Sequence, residues 1–167
     1  MFRRRKRAGP EPADIYLDLR GKALRLDPAE VGIAPSESQP RVFGVVMDTG
    51  YAEGWSSTLV ALADGATSLY LSHGGGIIGG GEHMQVAEAT LRLLQTAESA
   101  FDRMAPLQDE DLPQPGDVII RALAFEGPRA TTAPEDDLGY GRHELSSVFH
   151  AAHAVITELR LIDETRH

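Results

Sequence analysis

Residues 59–72 read LVALADGATSLYLS, and this stretch carries the strongest fold signal in the chain. Two strand-like runs, 59–63 and 66–72, flank the dipeptide Asp64-Gly65. Asp-Gly between such runs favours a two-residue hairpin loop of type I′, in which both central residues need a positive φ. The stretch therefore predicts an antiparallel strand pair.

Upstream of this hairpin, the sequence predicts three more elements. The alternation of apolar and polar residues over 15–26 predicts a first hairpin that turns at Gly21-Lys22. Asp27-Pro28-Ala29-Glu30 predicts a short helical turn, because Asp is a good N-cap and Pro suits the first helical position. The mostly apolar run 42–47 predicts a strand.

Downstream, apolar residues at helical spacing predict one helix from Met84 to Met104, where Pro106 stops it. Residues 106–116 form a Pro-rich, acidic loop, and the run 118–125 predicts another strand. A second helix is expected to begin at Ser146 or Ser147, either of which can cap it.

Together these elements predict an α+β fold, a mostly antiparallel sheet of about five or six strands covered by two amphipathic helices. Residues 1–13 are predicted to be a disordered, basic and Pro-rich tail, and residues 14–167 a single α+β domain. The element order resembles that of small profilin-like regulatory modules of the roadblock and longin kind, which implies a regulatory role.

The charge distribution argues against a nucleic-acid reader. The 167 residues carry 16 basic and 25 acidic side chains, and five of the basic ones form the run Arg3, Arg4, Arg5, Lys6 and Arg7. The rest of the chain therefore has 11 basic against 25 acidic side chains, a net charge of −14. An acidic body repels the phosphate backbone, so only the basic run is expected to touch anionic surfaces, and weakly.

The composition excludes several other classes. The chain has no cysteine, which excludes a disulfide scaffold, a thiolate zinc site and a cysteine nucleophile. No apolar run approaches the roughly 18 residues that span a bilayer. The segment behind the basic run has no apolar core, so it does not read as a secretory signal. These observations predict a cytoplasmic protein.

The most unusual segment is glycine-rich, 74–81, between a predicted strand and a predicted helix. Bare glycine amides at a helix start can bind a phosphate or carboxylate, whereas glycines also serve tight turns and close backbone packing. A dinucleotide fingerprint is disfavoured because the preceding strand belongs to a hairpin and not to a parallel βαβ unit. In the anion-binding alternative, with Ser72 in support, the ligand contacts come from His73, Gly74, Gly75, Gly76, Gly79, Gly80, Gly81 and His83.

Asp48-Thr49-Gly50, directly after an apolar run, resembles the catalytic triplet of retropepsin-like aspartic proteases. Ile77-Ile78-Gly79 resembles the apolar pair and glycine that pack behind the catalytic loop in that family. The resemblance implies a dimer in which two copies of Asp48 share one proton. The alternative is a plain turn, in which Asp48 and Thr49 bond local amides.

Two smaller groups complete the candidates. His150 and His153 stand three residues apart on the last helix. They either ligate a metal with help from His143, Glu144 or an acid of the loop 135–137, or belong to a solvated polar face. Tyr51 and Trp55 lie in a loop and are candidates for a partner interface, with half-burial against the sheet as the alternative.

No nucleophile, base and orienting residue can be assembled from the sequence, which favours a non-enzymatic interaction or regulatory module without a cofactor. The expected partner is another protein or a second copy of the chain. The competing hypothesis is an anion or nucleotide-phosphate binder, or a small enzyme, that uses the loop 74–81.

Overall fold

The computed structural model describes residues 9–165, so the predicted role of the basic run 3–7 falls outside the described residues. Across these residues, seven strands pair antiparallel into one sheet in the order β4-β3-β2-β1-β6-β7-β5. The strands are β1 (Val42–Gly50), β2 (Ser56–Leu62), β3 (Thr67–Leu71), β4 (Gly76–Ile77), β5 (Ala105–Pro106), β6 (Asp117–Ala124) and β7 (Arg129–Pro134).

Helices cover both faces of this sheet. They are α1 (Asp14–Leu24), α2 (Met84–Ala100), the short α3 (Glu135–Gly139) and α4 (Ser146–Thr165). The pair α2 and α4 packs on one face and buries the larger apolar core there. The other face carries a smaller apolar cluster under α1 and the segment 26–33. The predicted α+β class is confirmed, with seven strands where five or six were expected and a third substantial helix.

The first predicted hairpin, over residues 15–26, is wrong because this segment forms α1. Tyr16 and Arg20 stand four residues apart on the helix and point at the sheet, with 1% and 3% of their surface exposed. Ile15, in contrast, is 53% exposed. The helix thus buries a polar stripe, and hydropathy alone cannot reveal a face of that kind. The element order on which the profilin-like resemblance rests therefore changes at its first element.

One turn geometry connects the first four strands. In Tyr51–Gly54, Leu62–Gly65 and Leu71–Gly74, the glycine N–H donates to the carbonyl of the first residue at 2.9 Å. The three glycines have φ values of 94°, 93° and 107°. This is a three-residue hairpin loop with a glycine bulge, and not the predicted type I′ turn, because Asp64 has no positive φ. The extra residue places the left-handed conformation on glycine, which has no Cβ to strain.

The remaining predicted elements agree closely with the structure. A 3₁₀ turn follows Asp27, whose side chain accepts the N–H of Ala29 at 3.0 Å. The helix predicted from Met84 is α2, and a 3₁₀ turn extends it over Phe101–Arg103. The last helix begins at Ser146, as expected. Within residues 9–165, no helix has the length and apolar character needed to cross a bilayer.

Candidate functional site

A buried cluster of charged and polar side chains lies on the α1 face of the sheet. Asp48, near the end of β1, is fully buried between Arg20 of α1 and Arg121 of β6. Nε and Nη2 of Arg20 donate to the two carboxylate oxygens at 3.0 and 2.8 Å, and Nη1 of Arg121 donates at 2.6 Å. The hydroxyl of Thr58 donates to the same carboxylate at 2.5 Å. Asp48 thus accepts four hydrogen bonds, three of them from guanidinium groups.

The acidic loop after β5 lies against this cluster, and its backbone carbonyls accept hydrogen bonds from the two arginines. The carbonyl of Glu110 accepts from Arg20 at 2.7 Å, and the carbonyl of Asp111 accepts from Arg20 and Arg121 at 3.1 and 2.9 Å. Further along the loop, the carbonyl of Gln114 lies against Gly50, where a Cβ would collide with it. The loop side chains at 109–111 are exposed, as the charge run predicts, whereas its carbonyls bind buried cations.

The protease interpretation of Asp48-Thr49-Gly50 is wrong. All three residues belong to β1, and Asp48 is paired with Thr58 on one side and with Ile119 on the other. A catalytic carboxylate must reach substrate, but this one is buried and fully engaged with two arginines. Two copies of Asp48 therefore have no way to meet across a dimer axis and share a proton.

The charge of Asp48 changes the pKa of two side chains of the cluster, Arg20 and Tyr16. Burial by itself lowers the pKa of Arg20, but hydrogen bonding and attraction to Asp48 outweigh it, so the pKa of Arg20 is raised. Burial, and then the charge of Asp48, raises the pKa of the Tyr16 hydroxyl. That hydroxyl bonds to Thr58 at 2.6 Å and to Ser56 at 3.1 Å. The hydrogen-bonded chain therefore runs from α1 through β2 and β1 to β6.

Two of the predicted anion-binding amides already have acceptors within or next to the glycine segment. The N–H of Gly74 donates to the carbonyl of Leu71 at 2.9 Å, and the N–H of Gly75 donates to Nδ1 of His73 at 3.3 Å. Gly76 belongs to the edge strand β4, and Gly79 has a positive φ of 77°.

The end of the glycine segment is packed against the domain. Gly80 is buried, and a Cβ there would collide with the side chain of Leu159. A Cβ on Gly81 would collide with the carbonyl of Gly65. His83 precedes the first residue of α2, and His73 is exposed at the opposite end of the segment. Gly74 and Gly79 thus have a positive φ, and Gly80 and Gly81 leave no room for a Cβ, so four of the glycines have a conformational or packing reason. Anion binding by this segment stays a prediction.

An apolar groove lies between α1 and the glycine segment. Its volume is about 320 Å³, and it lies beside the edge strand β4. Ile15 and Ile78 flank it and expose 53% and 62% of their surface. All of its lining residues are uncharged, namely Ile15, Tyr16, Leu19, Tyr70, Leu71, Gly74, Gly75, Gly76 and Ile78.

Tyr51 and Trp55 stack on each other across the first hairpin loop. Their ring centroids are 3.9 Å apart with an angle of 19° between the planes, and both side chains are half-buried. The Tyr51 hydroxyl also lies 3.0 Å from that of Ser57. Their proposed part in an interface stays a prediction.

The two histidines of α4 occupy different environments. His150 is exposed, whereas His153 is half-buried with its ring centroid 4.4 Å from that of Phe149. Burial, followed by the charges of Arg160 and His150, lowers the pKa of His153. Among residues 9–165, no three His, Asp or Glu side chains are grouped so that they could hold a metal.

Arg20, Arg121 and Tyr16 are the site residues that the sequence reasoning missed. A signal for one of them existed, because Arg121 interrupts the apolar strand run 118–125 and a lone cation in such a strand needs a buried partner. Asp48 at the end of another apolar run is that partner. Comparison with protein-family models, with curated proteins and with solved structures finds no match for this chain.

Proposed function

We propose that the protein is a non-enzymatic interaction module that binds an apolar segment of a partner protein in the groove between α1 and the glycine segment. The observation that carries this proposal is the pair of large apolar side chains, Ile15 and Ile78, held exposed on either side of an uncharged cavity. Exposed apolar surface around a concavity marks a binding surface more often than a solvated one. A groove without any cation is poorly suited to a phosphate.

The charges beside the groove indicate the chemistry of the partner. Glu11, Asp14 and Asp18 are exposed immediately before and along the helix that forms one wall. Asp18 forms a salt bridge with Lys22 at 3.1 Å. The chain outside the basic run nevertheless carries a net negative charge. Complementary charge steers association and favours the correct partner. The favoured occupant is therefore a segment with apolar side chains next to Lys or Arg.

Sheet augmentation contributes little to this binding. The sheet ends on both sides in two-residue strands, β4 and β5, and β5 contains Pro106. Short edge strands and proline are devices that limit pairing with another strand. Side chains that enter the groove are expected to supply most of the affinity.

The test is selection of a random displayed peptide library on the immobilised full-length chain. Peptides with apolar residues next to Lys or Arg should be enriched, and Ile78→Asp should weaken their binding by about tenfold or more because a charge enters an apolar contact. Leu161→Asp is the matched control, since Leu161 is a 49% exposed leucine on α4, and it should leave binding unchanged.

Three outcomes would contradict the proposal. The first is that no peptide is enriched, and the second is that acidic peptides are enriched. The third is that Ile78→Asp and Leu161→Asp lose peptide affinity equally. Sedimentation equilibrium on the same proteins separates self-association from binding of a different partner. A dimer that dissociates in Ile78→Asp would show that a second copy of the chain is the occupant instead.

A further inference from the structure

A second cavity lies at the other end of α1, away from the groove. It has a volume of about 220 Å³ and lies between the end of α1, β6 and the loop after β5. Its apolar walls are formed by Leu24, Leu107, Leu123 and Pro128, and its polar lining by Arg25, Gln108, Asp109, Glu110 and Arg121. The buried cluster therefore reaches this pocket through Arg121.

One donor of the Arg121 guanidinium, Nε, has no acceptor among the described residues. Nη1 donates to Asp48 and Nη2 to the carbonyl of Asp111, whereas Nε is buried and has no hydrogen-bond partner within the described part of the chain. The carboxylate of Asp109 does not hydrogen-bond to this guanidinium either, because its Oδ1 lies 3.6 Å from Nη2, beyond hydrogen-bond distance. A buried charged donor without an acceptor is costly and calls for an explanation.

Arg20 shows in the same molecule what this edge can bind. Nε and Nη2 of an arginine donate in parallel and match the two oxygens of a carboxylate. Arg20 uses this edge on Asp48 at 3.0 and 2.8 Å. Arg121 lines the pocket and has the same pair of donors: its buried Nε has no acceptor among residues 9–165, and its Nη2 donates to the carbonyl of Asp111 and lies 3.6 Å from the exposed carboxylate of Asp109.

The charge count leads to the same ligand class. Two buried guanidinium groups share the single buried carboxylate of Asp48, which leaves one positive charge in excess. Asp109 offsets it only partly, because its carboxylate is substantially exposed and lies 3.6 Å from Arg121, and the carboxylate of Glu110 is paired with the exposed Arg25 instead. Exposed ion pairs of this kind contribute little.

We propose that the pocket binds a small organic carboxylate with an apolar body. The ligand carboxylate replaces the Asp109 side chain and takes both Nε and Nη2 of Arg121, as Asp48 does on Arg20. The apolar body lies against Leu24 and Leu123, and Arg25 at the pocket wall supplies a second cation. This site is separate from the groove, so it stands or falls independently of the proposed function.

The test uses benzoate and hexanoate as probes on the full chain, with benzamide as the uncharged counterpart of benzoate. Binding is followed by titration calorimetry and by the side-chain Nε–H resonances of the arginines in NMR spectra. Saturable binding of the acids, a shift of the Arg121 Nε–H resonance and no binding of benzamide are expected.

Two variants test whether the Arg121 donors bind the carboxylate or whether the acids only fill the cavity. Arg121→Lys keeps a cation beside Asp48 but removes the parallel donors, so affinity should fall by about tenfold or more. Asp109→Asn removes the competing carboxylate, so affinity should rise by about twofold to fivefold. Asp102→Asn, an exposed aspartate paired with Arg41 elsewhere, should change nothing.

The proposal is overturned if neither acid binds saturably, if benzamide binds as well as benzoate, or if Asp109→Asn fails to tighten binding. If Arg121→Lys does not fold, the comparison of benzoate with benzamide and the Asp109→Asn titration still decide the question, because neither needs that variant.

Discussion

Replacing Asp48 by Asn tests whether the buried cluster holds α1 on the sheet. The substitution keeps the shape of the side chain but removes its charge and leaves only one acceptor oxygen. Asp48 accepts two hydrogen bonds from Arg20, one from Arg121 and one from Thr58, so Asn cannot satisfy the same donors. Two guanidinium groups would then face each other across a neutral amide.

The expected cost is large because the arginines stay buried. A hydrogen bond to a charged group is worth about 1.5–3 kcal/mol, and removal of one partner of a buried ion pair costs about 3–5 kcal/mol. Asp48→Asn should therefore lower the free energy of unfolding by about 3–5 kcal/mol. For a domain of this size, that change should lower the melting temperature by about 6–20 °C.

The assay is urea unfolding of the full chain at pH 7, followed by circular dichroism and by fluorescence of Trp55, the single tryptophan. Glu110→Gln is the control, because it removes the partly exposed ion pair with Arg25 and keeps the carbonyl that binds Arg20. That control should cost less than about 1 kcal/mol. If Asp48→Asn costs no more than Glu110→Gln, the buried cluster does not hold α1 on the sheet.

Two further substitutions test other parts of the fold. Gly81→Ala places a Cβ against the carbonyl of Gly65, so it should destabilise the protein by about 1–3 kcal/mol in urea unfolding, and an unchanged midpoint would contradict the packing role. Burial, and then Arg160 and His150, lowers the pKa of His153 below its ordinary 6.5, so stability should be lost as the pH falls through 6.5 toward that lowered value. His153→Leu should make the melting temperature less dependent on pH between pH 7.5 and pH 5. An unchanged pH dependence would show that other groups cause it.

The face of the sheet that α2 and α4 cover was predictable, because the apolar residues of these helices follow a simple periodicity. The apolar residues of α2 and α4 recur at helical spacing, and α4 buries Val148, Phe149, Ala152, Val155, Ile156 and Leu159. Apolar burial fixes these elements, and the sequence displays apolar residues directly.

The other face was less predictable because polar residues bury it. Ile15, Leu17 and Leu19 alternate with polar residues, which favoured a strand, yet the helix exposes Ile15 and buries Tyr16 and Arg20. The interaction that selects this helix face is with Asp48, 28 residues further along the chain from Arg20. A pairing at that separation leaves no local periodicity.

The hairpin loops show that the relevant signal can be present and still be misread. Gly54, Gly65 and Gly74 each stand fourth in a turn of the same geometry, yet only Gly65 lies in a dipeptide, Asp64-Gly65, that by itself predicts a hairpin. The dipeptide suggested the wrong turn type, because a bulge needs positive φ at glycine alone. For Gly74 the sequence leaves a binding loop and a tight turn as alternatives, and the structure places it in the turn that reverses the chain after β3.

The two cavities share α1, and the buried cluster connects them. Tyr16 lines the groove and bonds to Thr58, which donates to Asp48, and Asp48 in turn binds Arg121 at the wall of the pocket. A shift of α1 that widens either cavity must therefore lengthen bonds in this chain. If the carboxylate in the pocket changes the affinity of the groove for its partner, linkage requires the partner to change the affinity for the carboxylate by the same factor.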